Sequence, residues 1–321
     1  MLRRILFGSG SGAGSGSAAT LAGLKYELVT EAKSLEPTIS SMLRETEKRQ
    51  GLLDLPPYNK REFGMRAKTK DGKLAGAVYG HTKYNEAHVA LLGANPECRV
   101  HGAGSMLLKE FEILARTKYD CNRLALETFS WQARPFYEKV GFEVFGVQKN
   151  QPKGHDKYFM EKVWPAEKNS EPVTCYTNAT SELVVEDWAA DAAMNQVLVW
   201  LNEDALRRNI GVPSYDMVPY GLQVKDADGA LVACCLYETW WNELHLDKLV
   251  VVPEKQRKGI GSAVLKRLEE VAREKKLQQM IADAMSWQAH SFYEKHGFKV
   301  FATQKDLPKG HSQLRLLRVL E

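Results

Sequence analysis

Two glycine-bearing loops carry the residues best suited to hold a charged ligand. Gln256-Arg257-Lys258-Gly259-Ile260-Gly261, continued by Ser262, lies between a strand pattern and a helix pattern. Gly259 and Gly261 remove side chains where backbone must approach a ligand. A helix starting there offers unpaired N–H groups and the positive end of its dipole. Together these form a cradle for a pyrophosphate, and Arg257 and Lys258 add cations able to reach further phosphates. The earlier loop, Arg99-Val100-His101-Gly102-Ala103-Gly104 followed by Ser105, has the same frame with fewer cations. The plain alternative for either loop is a tight strand-to-helix turn. A dinucleotide site fits poorly, because a hairpin meander and not a βαβ unit precedes the loop. No GxxxxGK-Ser/Thr run is present, which excludes a P-loop.

The elements that must position the second loop can be read from hydrophobic period. Tyr220–Val224 and Ala230–Thr239 flank Asp226-Ala227-Asp228-Gly229 and predict a hairpin. Glu243–Val252 predicts a third strand, with Leu244, Leu246, Val250 and Val252 alternating with His245, Asp247 and Val251, and Pro253 ends it. After the loop, Val264, Leu265, Leu268, Val271 and Ala272 fall on one helix face, a spacing that Leu107, Leu108, Phe111, Leu114 and Ala115 repeat. A strand over Gln279–Met285 follows, then a helix from Trp287 to Lys295 that stops where Gly297 suits a left-handed cap. Phe298–Thr303 and Gln313–Val319 predict closing strands. The order implies an α+β fold, a mixed, mostly antiparallel sheet flanked by helices.

This unit occurs twice. Ser130–His155 reads SWQARPFYEKVGFEVFGVQKNQPKGH and Ser286–His311 reads SWQAHSFYEKHGFKVFATQKDLPKGH, an offset of 156 residues. Upstream the offset is 157, matching Asp71-Gly72 with Asp228-Gly229, Asn85-Glu86 with Asn242-Glu243, and His88 with His245. The chain therefore reads as a duplication. Its expected parts are a tail at 1–23, a first domain at 24–164, a linker at 165–178 around the polar PAEKNSEP stretch, and a second domain at 179–321.

Bulk properties limit the remaining classes. A net charge of +4 without a Lys/Arg run gives no clear indication of nucleic-acid binding. Five cysteines form no CxxC pair, which argues against a zinc site or a disulfide framework. No metal ligand set is expected, and no apolar run is long enough to span a membrane. Residues 1–23 are basic, Ser-rich and free of acidic residues, the composition of an organelle transit peptide; a flexible tail is the alternative. The expected location is the cytoplasm or the mitochondrial matrix.

A QxxGxG loop after a strand ending in Val-Pro, with FYEKxGF downstream, closely resembles the GNAT superfamily of acyl-CoA N-acyltransferases, and the likeness covers nearly the whole chain, twice. The resemblance implies tandem GNAT domains, acetyl-CoA as co-substrate, and a loop of residues 256–262 (99–105 in the first copy) holding the CoA pyrophosphate. Leu249, Val250 and Val251 would pair with the pantetheine arm. In FYEKxGF the tyrosine, Tyr293 or Tyr137, would protonate the departing thiolate, a transfer for which a phenol is competent. An amine acceptor must first lose a proton. Asp247, Asp283 and its counterpart Glu127 are candidates to take it, with Glu243 and Glu86 weaker ones.

The expected activity is acetyl transfer to a small amine or peptide terminus by direct attack in a ternary complex. The second copy is expected to be the active one, because Gly93 and Asn95 are poor strand residues in the first. The alternatives are a protein lysine acetyltransferase, or a non-catalytic CoA-binding scaffold whose two copies form an internal pseudo-dimer.

Overall fold

The computed structural model describes residues 23–29, 31–52, 54–55, 58–98, 100–164, 183–212 and 217–320. The linker at 165–178, nearly all of the tail, and Arg99 lie outside these residues. The first repeat supplies β1 (Lys25–Val29), α1 (Glu36–Arg49), β2 (Glu62–Thr69), β3 (Leu74–Lys83), β4 (Glu86–Ala94) and α2 (Ala103–Lys118). It continues through β5 (Arg123–Phe129), α3 (Arg134–Lys139), β6 (Glu143–Gln148) and β7 (Lys157–Val163). The second begins with β8 (Leu183–Trp188), α4 (Ala190–Arg207), β9 (Val218–Lys225), β10 (Leu231–Trp240), β11 (Glu243–Val251) and α5 (Ile260–Glu274). It ends with β12 (Gln279–Met285), α6 (His290–Lys295), β13 (Lys299–Lys305) and β14 (Ser312–Val319).

These strands form two seven-stranded sheets, β8-β2-β3-β4-β5-β7-β6 and β1-β9-β10-β11-β12-β14-β13. Each sheet begins with a strand from the other repeat. β1 runs antiparallel to β9 with Lys25 opposite Lys225 and Val29 opposite Gly221. β8 runs antiparallel to β2 with Thr69 opposite Leu183 and Gly64 opposite Trp188. The helices follow their strands. Ala32, Leu35 and Ile39 bury against Cys234, Leu236 and Val250 of the second sheet, and Val197 and Trp200 bury against Ala77 of the first. The first strand and helix of each repeat thus pack on the opposite sheet.

In each sheet one residue breaks the strand alternation where the site will form. β3 and β4 slip register so that Ala90 has no partner between the Gly80–Val89 and Tyr79–Leu91 pairs. β10 and β11 slip in the same way around Asp247, between Tyr237–Leu246 and Leu236–Lys248. Such a bulge reverses which face each later residue meets. Leu244 and Leu246 pack under α5, and beyond the bulge Leu249 and Val251 join that side while Val250 turns to α1. Parallel pairing of β11 with β12 ends at Leu246–Ala282, and that of β4 with β5 at Val89–Leu126. The strands part directly after the bulge.

β4 runs through Gly93 and stops just before Asn95. β4 and β11 are each nine residues long. A Cβ on Gly93 would stand 2.9 Å from Val197, so the glycine lets α4 sit close. Asn95 closes the strand, its N–H bonding Ala75 O at 2.9 Å and its side-chain amide Leu74 O at 2.8 Å.

The two sheets meet along β6 and β13, where a Cβ on Gly146 would overlap Ala302. The contacts repeat with two-fold character. Glu243 is bonded by Gln148, and Glu86 by Gln304 at 2.5 Å. Asn85 Nδ2 donates to Asp306 O at 3.0 Å, and Asn242 Nδ2 to Asn150 O at 2.9 Å. Glu86 and Glu243 are thus interface residues. A protease site placed in 168–178 tests the exchange. After cleavage the two fragments should co-elute as one species on size-exclusion chromatography and separate only in denaturant.

Candidate active site

The glycine loop of the second half is built by backbone conformation. Gly259 caps α5 with φ 83° and Arg257 holds φ 59°, both in the left-handed region. The first helical bond runs from Ala263 N–H to Gly259 O at 3.0 Å, so the amides just before it have no helical acceptor. Arg257 and Lys258 are exposed beside them. This set fits a pyrophosphate: free amides, a helix N-terminus and two cations on one turn. Gln256 does something else with its side chain, donating to Val251 O at 3.1 Å and Thr46 Oγ1 at 3.2 Å, which ties the loop to β11 and to α1. In the first half Gly102 caps α2 at φ 91° and Met106 N–H bonds Gly102 O at 2.9 Å. Val100, His101, Ala103, Gly104 and Ser105 complete that turn, with Val100 and His101 at the places of Arg257 and Lys258.

The tyrosine helix packs against each loop. A Cβ on Gly261 would meet the Phe292 ring at 3.2 Å, and one on Gly104 the Phe136 ring at 3.8 Å. Gly261 therefore serves packing of the tyrosine helix. Tyr293 stacks edge-on to Phe292 and Phe298. Burial, with the nearby Asp283 carboxylate, pushes its hydroxyl pKa far up. Tyr137 is pushed up to about 12 by burial alone.

The carboxylates separate into two kinds. Asp247, at the bulge, is exposed and paired with Lys248 at 2.8 Å. Asp283 and Glu127 share one guanidinium instead: Arg315 Nη1 lies 3.2 Å from Asp283 and 3.5 Å from Glu127. Lys157 also grips Glu127 at 2.5 Å. Burial alone would raise both acids, but Arg315, His245 and Lys83 hold Asp283 below the usual carboxylate range, and Lys157 and Arg315 do the same to Glu127. His245 shows the reverse balance. Burial opposes its charge, yet Glu238 at 3.2 Å together with Asp283 and Glu243 raises it to about 9.

An open volume lies over the splay of the first half. A cavity of about 920 Å³ runs from Leu91, Thr128 and Tyr137 at the splay to α4 and on to Met217. Trp240, Trp241 and Glu238 of the second repeat close one side. Trp131, Trp240 and Trp241 all line this cavity. Around the second splay stand Tyr58, Tyr84 and Trp287, with Tyr84 5.5 Å from Tyr58 and 6.4 Å from Trp287. His155 and His311 sit edge-on to Trp131 and Trp287 at 4.7 and 4.8 Å. Among the described residues no cluster of His, Cys, Asp and Glu is placed to hold a metal, and no helix is long and apolar enough to cross a membrane.

Residues 33–142 match the Acetyltransferase (GNAT) family and residues 221–300 the Acetyltransferase (GNAT) domain. The chain is 33% identical over 91 residues to a blasticidin-S acetyltransferase of Streptomyces morookaense, covering 28% of this chain and 67% of that protein. The chain belongs to the GNAT acetyltransferase family. An uncharacterized N-acetyltransferase of Methanocaldococcus jannaschii is 30% identical over 112 residues, 33% of this chain and 70% of that one. An acetyltransferase structure from Bacillus cereus aligns at 28% identity over 38% of this chain and 90% of its own, with a TM-score of 0.34. As a tandem GNAT member the chain is an acetyl-CoA-dependent N-acetyltransferase.

Two outcomes test this GNAT charge network. Arg315→Met leaves Asp283 and Glu127 without their shared cation and should cost about 3 kcal/mol in urea unfolding, the scale for breaking a buried pair. His245, with its pKa raised on folding, stabilises fully below its ordinary value of 6.5, and the contribution fades as pH rises through about 9. The urea midpoint should fall between pH 7 and 9.5, and His245→Gln should flatten that fall.

Proposed function

We propose that the second half transfers an acetyl group to a primary amine by direct attack within a ternary complex. What supports this reading is that the bulge at Asp247, where β11 and β12 part, leads into a cationic helix-start loop against which Phe292 of the tyrosine helix packs. Acetyl-CoA supplies the activated acyl carbon. The amides and cations of residues 257–262 bind its pyrophosphate, and Leu249–Val251 offer a strand edge to its arm. Asp247 takes a proton from the ammonium, directly or through water, since the bulge aims it at solvent beside the parting strands. As the N–C bond forms and the C–S bond breaks, Tyr293 Oη gives its proton to sulfur; its raised pKa keeps that proton in place at neutral pH. Asp283 and Glu127 are poor acceptors of a proton by comparison, because each is held ionised by neighbouring cations. Their part is to fix the floor of the two sites.

A second reading extends turnover to the first half. It is favoured by the cavity over that splay, into which Tyr137 faces. A roofed pocket of this kind favours a small amine over a lysine displayed on a protein.

Calorimetric titration of acetyl-CoA tests both readings. One site per chain should appear and be lost in the Arg257→Glu/Lys258→Glu variant. A site that persists in that variant belongs to the first half, and absence of binding in the parent chain would sink the enzymatic reading. Tyr293→Phe should lower kcat by about 100-fold with acetyl-CoA affinity retained, the usual scale for a general acid. Asp247→Asn should lower kcat with acetyl-CoA affinity retained.

A further inference from the structure

The cavity of the first half has a wall that the second half's site lacks. Phe129 stacks on Trp131 at 4.6 Å, and Trp240 stacks on Trp241 at 4.3 Å. The two stacks meet at a corner, with Trp131 6.0 Å from Trp241 at 63° and Phe129 5.6 Å from Trp240 at 83°. Two tryptophans of this corner come from the β10–β11 turn of the opposite repeat. At the matched places around the second splay the chain carries Met285, Trp287, Lys83 and Tyr84. The same frame is thus built there with a thioether and an ammonium in place of two rings, so the fold itself does not demand four.

Lys157 Nζ lies 5.2 Å from the Trp240 ring, and Arg208 on the cavity wall donates to Trp131 O at 3.0 Å and pairs with Asp204 at 3.1 Å. Glu127 sits at the splay end, and Glu238 and Asp204 stand on the walls. His81 also lines the cavity, and burial with the nearby His88 pushes its pKa down to about 3, leaving a neutral imidazole that does not repel a cation. Ring faces attract flat π-systems and cations, and Glu127, though paired with Lys157 and Arg315, keeps carboxylate lone pairs that can accept from an ammonium. A volume of about 920 Å³ suits a small molecule together with the end of a pantetheine arm.

We infer that the first half's cavity binds a flat aromatic primary amine, its ring against the Phe129–Trp131 and Trp240–Trp241 corner and its amine toward Glu127 at the splay. Reaction of that amine rests on the second reading above, turnover in the first half; its binding does not. The second half thereby selects the acceptor of the first.

The test uses the full chain with tryptamine and cyclohexylmethylamine as probes, by calorimetry without acetyl-CoA and by turnover with it. Tryptamine should bind at least about tenfold tighter than the alicyclic amine and be preferred in kcat/KM by a similar factor. The Trp240→Leu/Trp241→Tyr variant adds no second ammonium beside Lys157, which lies 5.2 Å from the Trp240 ring, and carries the tyrosine that the other half has at this place, so it should fold, bind acetyl-CoA normally and lose that preference. Phe129→Met should lose part of it. Equal binding of the two amines, or a preference that survives the double variant, overturns the inference. Tryptamine binding that depends on the tryptophan pair, without turnover of any amine, upholds the cavity assignment and overturns acetyl transfer in this half.

Discussion

The exchange of β1–α1 for β8–α4 is the constraint on which the rest depends. In each sheet the borrowed strand completes an edge and the borrowed helix covers the face behind the splay. Without α1, Cys234, Leu236 and Val250 would face water; without α4, Ala77 and the cleft at Gly93 would. Neither half is a finished fold from its own repeat. The exchange also explains why the ligand-facing parts are composite. Thr46 of α1 steadies Gln256 in the opposite repeat's loop, and α4 roofs the first repeat's cavity.

Two-fold pairing then forces the copies to differ where they meet. Arg315 and Phe159 occupy matched positions and lie against each other, the guanidinium 4.4 Å from the ring centroid. Two arginines there would place like charges face to face in a buried site, at a cost set by low dielectric. One arginine on one aromatic ring resolves this and leaves a single cation to serve both Asp283 and Glu127. Lys157 and Gln313 divide in the same manner: the lysine grips Glu127 while the glutamine bonds Asp283 at 3.2 Å. Divergence at the dyad spreads outward into unlike acceptor walls.

Much of this was legible beforehand. The repeat and the helix periods implied two α+β units, and the glycine loops marked both helix starts because left-handed backbone at those places needs glycine. What could not be read was which copy of a repeated element goes where. β1 and β8 carry equivalent patterns, so either satisfies either sheet edge, and only tertiary packing chooses. The bulges at Ala90 and Asp247 were hidden for a related reason. Leu244, Leu246, Val250 and Val252 read as one alternating face, while the structure divides Leu246 from Val250 across the sheet. A single unpaired residue shifts phase without breaking the apolar pattern. Glu86 and Glu243 looked like weak proton acceptors because their glutamine partners lie far away in sequence, on the opposite half.

Sharing one cation has a mechanistic consequence. Asp283 sits under one splay and Glu127 under the other, and Arg315 is within 3.5 Å of both. Neutralising either carboxylate would strengthen the hold of the guanidinium on the other, since the attraction is no longer divided in a low-dielectric site. Charge brought to one floor is therefore felt at the other through a single buried group, with no movement of the sheets. A chain that evolved by duplication into unlike acceptor sites retains, in that one residue, an electrostatic link between them.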